Sequence, residues 1–408
     1  MKKLVTKRNV LILIAVIFFF IAWNRSINLL YGMFALLTAT LILSLVLPRL
    51  SLRTVAASRT LPSAAFEGET IELSVNVENR GRWGRSMLQV VDSFPAAGPD
   101  FQNPMTFVAR LRRRASRHYT YSLECYKRGE YQIGPLRMRS AYPLGIANAE
   151  KTTDHSLVPF LVYPRVFEIP SLPLVSASST PMSGVEAAGK AGGSEEFFGT
   201  REYRRGDSLR HIHWPSTARH GELIVKEFEV RAATEVTIVL DLHARSEVGA
   251  GKETTLEYAV KIATSIAQYA LLRGHAIQLA GYGEREHIVP FSRGVHHLAA
   301  VLENMARVRA TGSVPYAAAV MRAADLMRDG GTTVLIMTRE GARGKEFPAS
   351  LNLLRTKRMR LLCVVIDEGT FLERPRRSTP VIDAVLLGLG ASVYVVSKGD
   401  DLPGVFAQ

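Results

Sequence analysis

The chain opens on two apolar runs. Val10 to Trp23 holds 14 residues without a charge, Leu29 to Leu47 holds 19, and Asn24-Arg25-Ser26-Ile27-Asn28 separates them. At about 1.5 Å per helical residue, the second run crosses a hydrocarbon core of about 30 Å, and the first reaches about 21 Å without its polar flanks. The spacing predicts a two-helix transmembrane hairpin over residues 1–48. A signal peptide is the alternative, but no A-x-A site follows the core and a second apolar span comes at once. Trp23 and Tyr31 near the turn suit a membrane interface.

The pattern then changes to period two. Ile71, Leu73, Val75 and Val77 alternate with Glu72, Ser74, Asn76 and Glu78, which predicts a half-buried strand. Tyr119, Tyr121, Leu123 and Cys125 repeat the alternation. Tyr131 to Ile133 and Leu136 to Met138 read as further short strands around Gly134-Pro135. Short strands with Gly/Pro turns predict an all-β immunoglobulin-like sandwich over residues 49–170, a module that spaces or binds rather than catalyses. Residues 171–194 are rich in Gly, Ser, Ala and Pro and predict a flexible linker.

Residues 234–408 alternate strand and helix signals. Strands are predicted at Glu235–Leu240, Ala276–Ala280, Thr332–Met337, Arg360–Ile366 and Ser392–Val396, with an edge strand at His287–Phe291. Helices are predicted at Thr255–Arg273, Val295–Val308, Pro315–Arg328, Pro348–Lys357 and Val381–Leu387. This order implies a mostly parallel, doubly wound α/β domain, in which ligands meet the carboxyl ends of strands. Asp241 lies at one such end.

Composition narrows the function classes. The 408 residues carry a net charge of +14. Residues 1–48 hold five basic residues and no acid, residues 49–170 hold 17 basic against 11 acidic, and residues 171–408 hold 29 against 26. The excess therefore lies towards the membrane end, where anionic lipid attracts it as readily as a nucleic acid would. Its densest run, Arg110 to Arg117 (RLRRRASR), reads either as a surface facing lipid headgroups or as a solvated hairpin end. Cations flank both ends of the hairpin, and its turn holds only Arg25. The positive-inside rule then places both ends, and all that follows residue 48 to the C-terminus, on the cytoplasmic side of a membrane. The two cysteines, Cys125 and Cys363, agree with a reducing compartment.

Between linker and α/β domain lies a charged segment, residues 195–233. Glu195 to Arg231 holds seven basic and seven acidic residues interleaved with Tyr203, Trp214 and Phe228. A nucleic-acid groove would be asymmetric, so no nucleic acid is expected. The balance predicts an ion-pair and aromatic latch. Gly206 permits a turn, and Asp207 is placed to cap a short helix containing Arg210. Arg201, Arg205 and Arg210 are alternatively placed to hold a carboxylate or phosphate. His211 and His213 lie two apart, as on one face of a strand, but lack a clear third ligand for a metal.

This segment resembles the signature of the bacterial domain-of-unknown-function 58 family. The residues that carry the likeness are Arg201-Glu202-Tyr203, Gly206-Asp207, Arg210, Ile212-His213-Trp214, Ala218-Arg219 and Gly221-Glu222-Leu223. Upstream, Arg128-Gly129-Glu130-Tyr131, Gly134-Pro135 and Tyr142-Pro143-Leu144-Gly145 are similar too, while Pro215 departs from the family's usual lysine. The resemblance implies a membrane hairpin, a von Willebrand factor A-like domain and association with a MoxR-type AAA+ ATPase. An A-type domain binds Mg²⁺ through D-x-S-x-S with a later Thr and Asp. Here the run is Asp241-Leu242-His243-Ala244-Arg245, and the later loop is Thr338-Arg339-Glu340-Gly341. Both serines are gone and Arg245 brings a cation, so a degenerate site at Asp241, His243 and Arg245 is expected to hold no metal. Asp241 is then expected to pair with Arg245 or an arginine of the charged segment; the alternative is a shift by one residue, with Ser246 coordinating, that would rescue the Mg²⁺ site.

No GxxxxGK[ST] and no G-x-S-x-G occurs, and Gly281-Tyr282-Gly283 lacks a third glycine. The expectation is a non-enzymatic, membrane-tethered adaptor or assembly factor of the bacterial inner membrane, without cofactor. Its docking face would comprise Arg201, Tyr203, Arg205, Gly206, Asp207, Arg210, His213, Trp214 and Asp241. A metal-dependent hydrolase using Asp241, His211 and His213, or a structural lipid-binding envelope protein, are the alternatives.

Overall fold

The computed structural model describes residues 7–25, 27–153, 156–174, 195–204, 207, 209–230, 234–372 and 381–407. The chain divides into two compact units, Met1–Tyr163 and Pro164–Gln408.

The first unit begins with helices α1 (Lys7–Arg25) and α2 (Asn28–Arg53). Both are long and apolar enough to cross a membrane by length and composition. At 19 residues α1 exceeds the uncharged run within it, because its polar flanks stay helical and bring its length to about 28 Å. Phe19 and Phe34 pack across the pair with ring centroids 5.1 Å apart. Ten strands follow: β1 (Val55–Thr60), β2 (Ala64–Phe66), β3 (Thr70–Asn79), β4 (Arg85–Val91), β5 (Met105–Leu111), β6 (Ser116–Glu124), β7 (Gly129–Ile133), β8 (Arg137–Ser140), β9 (Ala149–Thr152) and β10 (Val158–Tyr163). They form three small sheets, ordered β1-β3-β6, β2-β10-β7 and β5-β4-β8-β9, and only the β2–β10 pair is parallel. The inward residues of β3, Ile71, Leu73, Val75 and Val77, meet Leu88 and Val90 of β4 and Phe160 of β10 in one core. Arg59 ties the sheets together. Its guanidinium pairs with buried Asp92 after β4 and donates to Ile133 O (3.0 Å) and Ser156 O (2.6 Å). The end of α2 is fused to this unit: Leu52 is buried in the same core, and the Lys151 ammonium donates to Val55 O (2.9 Å), a cation where the helix dipole is negative.

The second unit holds a two-stranded hairpin, β11 (Glu195–Glu202) and β12 (Ile224–Val230), with the short helix α3 (Trp214–His220) between its strands. Then come β13 (Glu235–Leu240), the small ribbon β14 (Gly249–Ala250) and β15 (Glu253–Thr254), α4 (Thr255–Leu272), β16 (Ala276–Tyr282), β17 (Glu286–Ser292), α5 (Val295–Arg307) and α6 (Tyr316–Asp325). The remainder is β18 (Thr332–Thr338), α7 (Phe347–Thr356), β19 (Arg360–Ile366), α8 (Val381–Gly388), β20 (Ser392–Val396) and α9 (Leu402–Val405). Six strands make one sheet ordered β17-β16-β13-β18-β19-β20, parallel except for the edge strand β17. Its central strands are buried on both faces, which explains why their sequences are mostly apolar with no polar alternation. Val236, Ile238 and Leu240 pack with α4 and α5, while Val239 packs with α6 and α7. The chain leaves β13 for β16 on one side and later adds β18, β19 and β20 on the other. The strand order therefore reverses at β13, which opens a crevice at the carboxyl ends of β13 and β18.

The boundary between linker and domain differs from the sequence reading. Leu172 and Leu174, expected in a linker starting at residue 171, are buried in the α/β core. Phe167 N–H donates to Ser265 Oγ (3.0 Å) and Leu172 N–H to Tyr269 Oη (3.0 Å), so residues 164–174 strap across α4. Period-based reading misses such a strap because extended chain without a sheet partner has no period. Residues 175–194 lie outside the described residues.

Candidate functional site

Two clusters hold the residues singled out by sequence. The first is the hairpin. Arg201 on β11 grips Asp207 with both ends of its guanidinium, Nη1 to Oδ2 at 2.7 Å and Nη2 to Oδ1 at 2.9 Å. The Arg204 N–H adds a bond to Oδ2 (2.8 Å), and Asp207 N–H returns one to Arg204 O (3.0 Å). Asp207 thus closes a tight turn rather than capping the following single 3-10 turn, Leu209–His211. The Arg201 hydrogen bonds, opposed by partial burial and helped by the Arg204 N–H, lower its carboxyl to about 2. Tyr203 N–H donates to Leu223 O (2.8 Å) and His213 N–H to Ile224 O (2.8 Å), which carries the pairing of the hairpin past the turn. Arg205 and Gly206 lie outside the described residues.

The histidine pair is not on a strand. His211 ends the 3-10 turn and His213 precedes α3, with its Nδ1 2.7 Å from Ser216 Oγ. Pro215, the departure noted above, sits in the first turn of α3, where its missing N–H costs nothing. The latch is ionic but not aromatic at Trp214. Trp214 is 64% exposed, Leu209 is 66% exposed, and Arg210 is exposed as well.

The second cluster sits at the reversal point of the sheet. Asp241 directly follows β13 and is buried. Its carboxylate meets the hydroxyl of Ser246, the His243 N–H (3.1 Å) and the Thr338 hydroxyl (3.5 Å). Arg245, the expected partner, is exposed, and its N–H instead donates to His243 Nδ1 (3.1 Å). A 3-10 turn at Ala244–Ser246 turns that serine inward, so that Ser246 is buried and lines the same small cavity as Asp241. Burial pushes the Asp241 carboxyl up, and the hydroxyls and N–H only partly offset this. Gly341 closes the crevice from the β18 side: an added Cβ would overlap the carboxylate, 3.1 Å from its Cγ.

These residues do not fit a divalent cation. The carboxylates lining the cavity are buried Asp241 and exposed Glu247, the Thr338 hydroxyl already bonds to Asp241, and the cavity measures about 10 Å³, room for at most one water-sized sphere. Among the described residues no cluster of three or more His, Cys, Asp or Glu is placed to hold a metal.

The sequence reading missed a neighbouring ion triad. Arg339, next after β18, reaches Asp367 Oδ2 (2.8 Å) and Asp383 Oδ2 (2.7 Å), with all three side chains nearly buried. Its N–H donates to Glu368 Oε2 (3.0 Å). Burial alone would weaken the guanidinium's hold on its proton, but the two carboxylates outweigh it and raise its pKa. The signal was present: Asp241, Arg339 and Asp367 are each the first residue after a buried strand.

Residues 199–344 match the model of the family described as protein of unknown function DUF58. That match runs from the hairpin through β18 to the Gly341 loop, so the DUF58 segment contains both clusters. The uncharacterized protein YeaD of Bacillus subtilis (strain 168) is 27% identical over 195 residues, covering 46% of this chain and 44% of YeaD. The chain thus matches less than half the length of that curated relative. Among solved structures, the conserved hypothetical protein BatB from Bacteroides thetaiotaomicron is similar at 12% identity and a TM-score of 0.33, covering 43% of this chain and 96% of BatB. A CARDB domain from Pyrococcus furiosus is similar at 14% identity and a TM-score of 0.17, covering 26% of this chain and 91% of that domain.

Proposed function

We propose that the protein is a membrane-tethered, non-enzymatic adaptor that docks a protein partner through its DUF58 segment. The observation that carries this reading is the pair Leu209 and Trp214, exposed beside a turn that Arg201 and Asp207 clamp. A large aromatic held in place at low entropy cost and left uncovered is the usual anchor of a protein interface. A metal-dependent hydrolase is the weaker reading, because the cavity beside Asp241 has room for at most one water-sized sphere and His213 is engaged with Ser216.

In this reading α1 and α2 span the bacterial inner membrane with both ends cytoplasmic. The three small sheets form an immunoglobulin-like spacer, and the six-stranded sheet is a von Willebrand A-like domain whose cation site has been replaced by internal hydrogen bonds. The partner is a MoxR-type AAA+ ATPase, which would supply the nucleotide energy. The test is purification of the full chain from native membranes in mild detergent, with and without a non-hydrolysable ATP analogue. A stoichiometric AAA+ ATPase, lost on Trp214→Ala and retained on Arg343→Ala, is expected. Recovery of intact protein without such an ATPase in either nucleotide state, or undiminished capture by Trp214→Ala, overturns the reading.

A further inference from the structure

We infer that two arginine-rich loops at the end of α2 form a collar that binds the phosphates of anionic lipid headgroups, with Trp83 inserted at the interface. This rests on the spanning reading of α1 and α2. The first loop, Arg80 to Arg85, is fastened to the residue that follows α2. Arg80 N–H donates to Thr54 O (2.9 Å), and the Arg85 guanidinium donates to Thr54 Oγ1 (3.1 Å). Gly81 sits so close that a Cβ there would lie 2.6 Å from Thr54 Oγ1.

The second loop, Arg112 to Ala115, is clamped to the first by one buried side chain. Asn79 Nδ2 donates to Trp83 O (2.8 Å) and to Arg112 O (3.1 Å), and its backbone N–H donates to Ala115 O (2.9 Å). Two distant stretches of basic sequence are thereby held side by side at the helix end. Arg82, Arg112, Arg113, Arg114 and Arg117 are all exposed, and among the described residues none of them has an ion-pair partner. Trp83, in the first of these loops, is 77% exposed and is not part of the unit's core.

Position decides what such a surface meets. The apolar run of α2 ends at Leu47, and Thr54 lies seven residues on, about 10 Å along the helix axis. The headgroup zone extends several ångströms beyond the hydrocarbon core on each side, and an exposed charge is felt over about 8 Å more at physiological salt. Strand β1 starts at Val55 with no linker, so the collar cannot drift away from the bilayer. Arginine forks suit phosphate oxygens, and tryptophan prefers the membrane–water boundary.

The test uses the full chain in lipid nanodiscs, with Trp83 as its only tryptophan (Trp23→Phe, Trp214→Phe) and a matching chain that keeps only Trp23. Discs are phosphatidylcholine alone or phosphatidylcholine with phosphatidylglycerol, each with or without lipids brominated near the glycerol end of the acyl chains. In phosphatidylglycerol discs, a blue shift of Trp83 emission and bromine quenching are expected. Both should weaken in pure phosphatidylcholine and in high salt. They should be lost in a chain carrying Arg112→Gln, Arg113→Gln and Arg114→Gln, with melting unchanged. Quenching of Trp23 without quenching of Trp83 overturns the collar while leaving the membrane hairpin intact. Quenching of neither shows that the helices do not insert, and the collar falls with them. Trp83 quenching that is indifferent to lipid charge and to the arginine substitutions overturns the phosphate assignment.

Discussion

Single side chains fix both clusters, and their roles can be separated by substitution. Asp207 is held by a bidentate guanidinium and a backbone N–H, so Asp207→Ala is expected to cost about 1–3 kcal/mol of local hairpin stability. Arg201→Ala should cost a similar amount, and the double substitution little more than either alone. Hydrogen exchange of the Tyr203 and His213 amides reads this directly. The folded carboxyl lies below its ordinary value of 3.8, so the contribution is complete above that value and is lost as pH falls through about 2. Exchange at these amides should therefore accelerate between those limits. Arg339→Met leaves two nearly buried carboxylates facing each other and is expected to cost about 3–5 kcal/mol in denaturant unfolding. Gly341→Ala should cost about 1–3 kcal/mol through overlap with Asp241, and much of that should return when Asp241→Ala is added.

At the scale of elements, the strap of residues 164–174 is the part whose role is least visible in the chain. Leu172 and Leu174 cover α4 from outside the sheet. Leu172→Ala is expected to lower stability by about 2–4 kcal/mol. If residues 171 onward were a free linker, the same change would be silent, and thermal melting decides. The helices and strands of the α/β unit were legible, because buried parallel strands are mostly apolar runs and their covering helices carry clear stripes. The β unit was less so. β3, β6, β7 and β8 show alternation or turn punctuation, but β2 has three residues and β9 has four, too few for a period to register. β4 carries Met87 at φ 55°, which interrupts its alternation at Ser86-Met87.

For the whole molecule, the two units each bury a core of their own. A core substitution in one, such as Leu73→Ala, should cost about 2–5 kcal/mol there and leave the slow-exchanging amides of β13 and β18 protected. Loss of protection in both would show a single cooperative unit.

The sequence by itself determined the two apolar helices, the period-two region after them, the strand–helix alternation of the C-terminal half and the DUF58 signature. Each is a property of neighbours along the chain, where helix and strand periods and short motifs are written directly. Tertiary structure alone decided which distant residues meet. It brought Ser246 rather than Arg245 to Asp241, set Arg339 between Asp367 and Asp383, and let Arg59 join three sheets. It also left Trp214 uncovered and gathered two arginine loops beside Thr54. Charges pair by distance in space and solvation depends on what packs overhead, and neither quantity is defined until the chain has folded.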